Sequence, residues 1–445
     1  MYQDTIAAIS TPIGEGGVGI VRLSGERARH IAQRLFPKEL ANRHLIYGHI
    51  VDPESGEVVD EVLVAYMQSP HTYTREDIVE INCHGGPLVV QRVLGLALRH
   101  GARLANPGEF TLRAFLNGRI DLAQAESVLD VVRAKTEASL RLAIQGLDGK
   151  LSSQIREVRT SLMDVLAYLT ARIDFPDDEV EERDITGALE YAQLMLHDLV
   201  ANADAGMVYR QGVRTAIVGR PNVGKSSLLN CLLRQSRAIV TSIPGTTRDT
   251  LEEMVNLKGV PFLLIDTAGF IDSSDEVEVL AVERSRKTVA QADFVLFVID
   301  TSEPLTSSDR ELIHLLAGKT VLVAANKCDL PLIADRGELP WPSILTSART
   351  GEGLTALENG MVNAVVCGTV VTSDAVMVTN PRHKVALQKA EISLAQARRA
   401  IEQDLPDDFI TIDLAAALHA LGEITGETIT EELLDTIFSS FCIGK

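Results

Sequence analysis

Gly219-Arg-Pro-Asn-Val-Gly224-Lys225-Ser226 has the residue types and spacing of a phosphate-binding loop. Glycines free the backbone to turn its N–H groups toward anionic oxygens, a lysine reaches the outer phosphates, and a serine hydroxyl suits Mg²⁺. The residues expected against nucleotide here are Asn222, Val223, Gly224, Lys225, Ser226 and Ser227. Asp266-Thr267-Ala268-Gly269 follows an apolar run, which would put a carboxylate on the magnesium side and the Gly269 N–H near a terminal phosphate. Asn326-Lys327-Cys328-Asp329 addresses the base. A carboxylate that accepts from both N1–H and the 2-amino group selects guanine, because adenine offers no such donor pair. Ser347-Ala348-Arg349 comes after the next apolar run and can bring a backbone N–H to guanine O6. In this order the four elements imply a GTP-hydrolysing site that uses Mg²⁺.

Loops of this kind need strands behind them. Apolar runs at Thr215 to Val218, Phe262 to Ile265, Phe294 to Ile299 and Val321 to Ala325 alternate with helical segments, which predicts a mostly parallel sheet. Before them, residues 1 to about 117 alternate short β-like runs (Thr5 to Ile9, Val18 to Leu23, Val62 to Met67, Ile78 to Asn82) with Gly and Pro punctuation and a few helices, an α+β pattern. From Asp121 to about Ala171 apolar residues recur at helical spacing, and a further helix is expected over about 187 to 204. Past residue 375 the chain reads as helical again: Asn380-Pro381 starts one helix, and Thr430 caps another whose first turn holds Glu431 and Glu432. The expected architecture is multidomain: an α+β N-terminal domain over 1–118, an α-helical domain split into 119–209 and 374–445, and an inserted Ras-like α/β P-loop domain over 210–373.

The chain has 445 residues, more than one hydrophobic core usually serves, and a net charge of −19. That charge argues against a general nucleic-acid coat, whose affinity rests on neutralising many phosphates. No apolar run of roughly 18 residues spans a bilayer, and the N-terminus lacks the pattern of a secretory signal, so a cytoplasmic location is expected. The five cysteines, Cys83, Cys231, Cys328, Cys367 and Cys442, are scattered and form no C-x-x-C pair, so neither disulfides nor a structural zinc site is expected. The acidic run from Asp174 to Asp184 reads as a solvated linker. Cys83-His84 beside two glycines reads as a tight turn, structural or pocket-forming.

Over its whole length the sequence resembles the MnmE (TrmE) family of tRNA wobble-uridine modification GTPases. The resemblance rests on Pro12 through Gly19 with Arg22, His84-Gly85-Gly86, Asn106-Pro-Gly-Glu-Phe110, Asp174-Phe-Pro176, Gly245-Thr-Thr-Arg-Asp249 and the tail Phe438-Ser-Ser-Phe-Cys-Ile-Gly-Lys445. It implies a folate-binding, dimerising N-terminal domain and a joint enzyme with the flavoprotein MnmG, as a heterotetramer, whose FAD and NADH serve the reaction. Together they would add an aminomethyl or carboxymethylaminomethyl group to C5 of wobble uridine in certain tRNAs. The carbon would come from 5,10-methylenetetrahydrofolate, for which 5-formyltetrahydrofolate is an analogue.

By the family pattern Arg22, Glu80, Arg119 and Lys445 would line the folate pocket. Position 119 is a lysine in some relatives, and an arginine fork serves the same anionic folate tail. Thr247 would join Ser226 at Mg²⁺, with Thr241, Ser242, Ile243 and Thr246 in the same nucleotide-binding segment. Phe270 stands where many GTPases keep a glutamine that orients water. The family implies K⁺ instead, held by Asn222 with oxygens of Thr241, Ile243 and Thr246, while Glu278 positions the catalytic water once two G domains pair. Read without the family, Arg22 and Glu80 make a strand surface pair, Asn222 is a turn residue and Glu278 lies on a solvated helix face. Cys442 would by composition be a small buried apolar residue; the resemblance makes it a candidate for handling the activated carbon or the uridine. A rival reading, a ribosome-assembly GTPase switch with no covalent RNA chemistry, would call for a basic RNA-binding module beside the G domain, whereas this chain is acidic overall; local basic patches could still bring RNA close.

Overall fold

The computed structural model describes residues 4–175, 181, 183–235, 253–265, 288–366 and 376–445. The chain divides into two compact units: Met1–Leu129 with Gly146–Ile155 and His419–Lys445, and Asp130–Gln145 with Arg156–Leu418.

In the first unit, β1 (Ile6–Ile9), β2 (Gly16–Ser24), β3 (Leu45–Val51), β4 (Val58–Met67), β5 (Ile78–Gly85) and β6 (Arg103–Leu104) form one sheet in the order β3-β4-β5-β2-β1-β6. Alternation along β5 buries Val79, Ile81 and Cys83 and leaves Glu80, Asn82 and His84 on the other face. The buried set packs on α1 (Ala28–Leu35) and α2 (Pro87–Arg99) through Ile31, Leu35, Val90, Val93 and Leu96. Arg22 faces Glu80 across the β2–β5 register, so the open face carries a charged pair at mid-sheet.

Helix α3 (Glu109–Leu116) starts from the Asn106–Phe110 turn, and its Arg113 is 1% exposed. That guanidinium pairs with Asp4 at 2.7 Å, Glu109 at 2.9 Å and Glu76 at 3.2 Å, which ties the turn to the sheet. A buried cation needs such partners to offset its lost hydration. The long helical stretch expected after Asp121 is three helices: α4 (Leu122–Arg133), α5 (Glu137–Leu147) and α6 (Lys150–Asp174). Gly149, at φ +79°, marks the second break. Two helices, α7 (Thr186–Ala201) and α8 (Ala203–Gln211), stand where one was expected over 187 to 204.

In the second unit β7 (Val213–Val218), β8 (Glu253–Leu257), β9 (Val260–Leu264), β10 (Phe294–Asp300), β11 (Thr320–Asn326) and β12 (Ser343–Leu345) lie in the order β12-β11-β10-β7-β9-β8. All neighbours are parallel except β8 and β9, a hairpin turning at Lys258-Gly259. Every residue of β10 is buried, as expected of a central parallel strand covered on both faces. Helices α9 (Lys225–Gln235), α10 (Ser307–Leu315) and α11 (Leu354–Val366) belong to this region, and α12 (Pro381–Glu402) packs on α7. Asn380 caps α12 by accepting from the Arg382 N–H at 3.0 Å.

The chain ends with α13 (Asp407–Thr425) and α14 (Glu431–Ser439). Thr430 caps α14 as its sequence indicates, accepting from the Leu433 N–H at 3.4 Å. Phe438 and Phe441 are buried against Ala114, Ile120, Leu122, Ala125 and Leu129. That contact returns the C-terminus to the N-terminal sheet. Among the described residues no helix is long and apolar enough to cross a membrane.

Candidate functional site

The nucleotide-type site begins where β7 ends. A Cβ on Gly219 would stand 2.3 Å from the Val298 carbonyl, so only glycine lets the chain leave the sheet there. Asn222 takes the left-handed conformation at φ +65°, which Asn tolerates better than most side chains. Gly224, at φ +96°, leaves room for the Asn326 amide, which would sit 2.3 Å from a Cβ. Lys225 opens α9 and donates to the carbonyls of Gly219 at 2.8 Å and Arg220 at 2.7 Å. Burial pushes its ammonium down to about 8. Ser226 and Ser227 are exposed in the first turn, where a helix N-terminus favours a bound anion. This donor set fits a magnesium-bound triphosphate.

At the sheet end opposite β8, Asn326 binds both flanking loops: its Nδ2 donates to the Val223 carbonyl at 2.8 Å, and its Oδ1 accepts from the Ala348 N–H at 3.0 Å. Lys327 is left-handed at φ +65° and donates to Asp300 at 2.5 Å. Burial works against ionisation of Asp300, but hydrogen bonds from Lys327 and Ser302 outweigh it and hold its carboxyl below the usual range. The Ser347 hydroxyl donates to Asp329 at 2.6 Å and lowers the pKa of that carboxyl. Asp329 is therefore ionised at neutral pH and ready to accept two donors from a base. Arg349 lies 4.0 Å from it and is exposed.

Two supports escaped the sequence reading. Arg220 Nε donates to Asp309 Oδ1 at 3.0 Å, and Asp309 is 1% exposed while also closing the capping box of α10 with Thr306. The spacing Thr306-x-x-Asp309 was the available signal. The Cys231 thiol donates to the Ala348 carbonyl at 3.1 Å and so steadies the loop after Ser347. Thr241, Ser242, Ile243, Thr246, Thr247, Asp266, Thr267, Ala268, Gly269 and Glu278 lie outside the described residues.

In the N-terminal unit, residues far apart in sequence converge. Arg22 pairs with Glu80 at 2.8 Å and also donates to the Gly444 carbonyl at 3.4 Å, which the Ser10 hydroxyl reaches at 3.2 Å. The Arg22 guanidinium stands 5.9 Å from the Tyr73 ring and 5.7 Å from Phe110, and Arg119 lies over the same Tyr73 at 4.7 Å. Gly108 N–H donates to the Cys442 carbonyl at 3.3 Å. Gly444 must be glycine, since a Cβ would meet Ile9 O at 2.3 Å and its φ is +96°. Cys442 itself is exposed, and Lys445 is half-buried. Burial lowers the Lys445 ammonium; Cys442 opposes that, and Arg22 adds to it. The structure thus brings Arg22 and Arg119 to Tyr73 and Glu80 to Arg22, and sets Lys445 near Arg22 in the terminal turn that carries Cys442. Cys83 points into the core and its thiol is pushed up to about 12 by burial, whereas His84 is exposed and bound to Asp60 at 2.7 Å.

The family model described as the GTP-binding protein TrmE N-terminus matches residues 5–119, and the one described as the MnmE helical domain matches residues 122–442. A curated protein from Chloroflexus aurantiacus called tRNA modification GTPase MnmE is 51% identical over 452 residues, covering all of both chains. One of the same name from Desulforamulus reducens is 46% identical, again over the full length of both. Among solved structures, the G domain of T. maritima FeoB is 29% identical over 34% of this chain and 98% of its own, with a TM-score of 0.26.

Proposed function

The chain belongs to the MnmE family of tRNA modification GTPases, and from that premise we propose that it uses two chemically separate sites, one for GTP and one for the tRNA modification. In the α/β unit, Lys225 and the α9 N-terminus hold GTP phosphates, and Asp329 with a backbone N–H of the Ser347–Arg349 loop reads guanine. Ser226 and Thr247 would hold Mg²⁺, whose charge would neutralise phosphate oxygens. Asn222, Thr241, Ile243 and Thr246 would hold K⁺, and Glu278 would position water when two G domains pair.

In the N-terminal unit, Arg22, Arg119 and Lys445 would hold the carboxylates of a tetrahydrofolate one-carbon donor and Tyr73 would offer its ring a stacking face. Glu80 orients Arg22, and Cys442 would handle the carbon or the uridine. The chain dimerises through this unit and works with the flavoprotein MnmG, whose FAD provides the redox chemistry, to build an aminomethyl or carboxymethylaminomethyl group on C5 of the wobble uridine. The observation that carries this reading is the return of the C-terminal tail onto Arg22, through the Gly444 carbonyl. An anion-binding site against which the C-terminal tail docks has no evident purpose in a GTP switch alone.

Mass spectrometry of wobble nucleosides from cells lacking this protein tests the reading. C5-modified uridine should disappear, return with the parent gene, and fail to return with Cys442→Ser. Unchanged modification in the deletion strain overturns the proposal, and full restoration by Cys442→Ser removes the cysteine from the chemistry.

A further inference from the structure

The chain is strongly acidic, yet Arg27, Arg29, Arg34, Lys38 and Arg43 crowd into residues 27–49 against Glu39 alone. All five are exposed. Elsewhere between Asp4 and Leu129 the arginines are mostly neutralised: Arg22 by Glu80, Arg92 by Glu57, Arg99 by Asp52, Arg103 by Glu109 and Arg113 by Glu76. The cations of the 27–49 segment instead make bonds that leave their charge uncompensated. Arg29 donates to the Leu40 carbonyl at 3.2 Å, Lys38 to the Tyr47 carbonyl at 2.9 Å and Arg43 to the His71 carbonyl at 3.2 Å.

Arg29, Lys38 and Arg43 also belong to one surface. Gln33 of α1 bonds the Lys38 carbonyl at 2.8 Å and the Leu40 N–H at 3.1 Å, binding the helix to the loop before β3. The Arg29 guanidinium lies 5.2 Å from the Tyr66 ring, and the Tyr66 carbonyl accepts from Arg43 N–H at 2.7 Å. Tyr47, 52% exposed on edge strand β3, stacks its ring 5.3 Å from the Lys38 ammonium. Two carboxylates beside these rings are occupied: Glu61 takes the Tyr47 hydroxyl, and Asp77 takes the Tyr66 hydroxyl and the Ser69 N–H.

Uncompensated cations held in place around an exposed aromatic ring match a nucleic-acid backbone with an unstacked base beside it. We propose that this α1–β3 shoulder is a docking surface for the phosphate backbone of tRNA. The assignment rests on the tRNA-modifying reading and adds to it the place where the substrate is held. An acidic protein would answer the charge but leave Tyr47 without a role. Orientation on such a surface comes from phosphate contacts, while the base to be modified is selected elsewhere.

The test measures tRNA affinity of the full-length chain over a salt series, for the parent and for a Lys38→Gln, Arg43→Gln double variant. Both side chains are exposed and stand outside the nucleotide site, so the GTPase rate of the variant should equal the parent's and reports intact folding. Each lost phosphate contact removes about 0.7 to 0.9 from the slope of log affinity against log salt. The double variant should therefore bind about tenfold more weakly near 0.1 M salt, with a slope shallower by about 1.5. Arg92→Gln, which removes a neutralised cation, should change neither.

Unchanged affinity and slope in the double variant overturn the proposal, even if it loses binding to an acidic protein. An equal loss in Arg92→Gln overturns it as well, because general attraction rather than this surface would then be at work. A parent chain that does not bind tRNA overturns it too, while the wobble-nucleoside measurement leaves the modification reading to stand or fall separately.

Discussion

The nucleotide site and the tail pocket both collect positive charge, but they hold it differently. Lys225 is kept by two backbone carbonyls inside a loop of glycines, with Asn326 bracing the loop from the next strand. Arg22 is held by a side-chain carboxylate and by a carbonyl more than four hundred residues away, and its ion pair with Glu80 is about a quarter exposed. The first site is a local backbone device that the sheet prepares. The second exists only while the C-terminus is docked. Damage to one should therefore spare the other, and the expected results can be ordered by how hard they strain that separation.

The largest effect belongs to Lys225→Ala. Removing the one cation aimed at the phosphates should lower GTP hydrolysis about 10²- to 10³-fold in single-turnover assays. Docking of the tail, read by protection of Phe438 and Phe441 amides from exchange, should be unchanged. Next comes Asp329→Asn. A carboxylate exchanged for an amide loses one acceptor for the guanine donors, and GTP affinity measured by titration should fall about 10- to 100-fold relative to ATP. Parent-like discrimination in that variant would remove Asp329 from base recognition.

Exchanging K⁺ for Na⁺ at matched ionic strength should slow hydrolysis about tenfold, because a charge near the phosphates contributes to the transition state and Phe270 cannot orient water. Equal rates in the two salts would separate Asn222 from any cation. It would then be a turn residue with a left-handed backbone and nothing more.

How far each site could be read from sequence follows from the same contrast. The nucleotide site was legible because each element is contiguous and its chemistry is set by backbone and spacing: Gly219 to Ser226, Asn326 to Asp329 and Ser347 to Arg349 sit at the ends of β7, β11 and β12. The tail pocket was not legible without a family to point at it. Arg22 and Glu80 look like any strand pair, and nothing near Arg119 or Lys445 announces that the fold brings them together. Even so, the caps at Thr430 and Asn380 and the inward Phe438 and Phe441 were readable, and they are what returns the tail. The breaks in the helical run after Asp121 were hidden because apolar spacing continues through them, and only Gly149 signals one. β8 was missed because a single apolar run covers β9, while its antiparallel partner alternates weakly.

The tail side is strained by Gly444→Ala. An added Cβ must clear the Ile9 carbonyl, and φ +96° is unfavourable for any other residue, a penalty of about 1 to 3 kcal/mol. The last turn should leave its seat part of the time, so wobble-uridine modification should drop several-fold by nucleoside mass spectrometry. GTP hydrolysis should match the parent. A fall in both would mean that the two sites are energetically coupled.

The smallest effect is a proton. Burial pushes the Lys225 ammonium down to about 8, from the ordinary lysine value of 10.5. Between those two values the unfolded chain carries more protons at this position than the folded one, so this group makes stability rise with pH from about 8 to 10.5; below that window its contribution is a constant cost. Nucleotide binding reverses the local balance, since phosphate oxygens beside the ammonium favour its charged form. Binding GDP at pH 8 should then take up a fraction of a proton, close to half if the lysine is fully reprotonated. Calorimetry in two buffers of different ionisation enthalpy reads that number directly, and Lys225→Met should abolish it. Uptake that persists in the methionine variant would assign the proton to another group and leave Lys225 charged throughout, which would make its two carbonyl contacts sufficient to replace the water it lost.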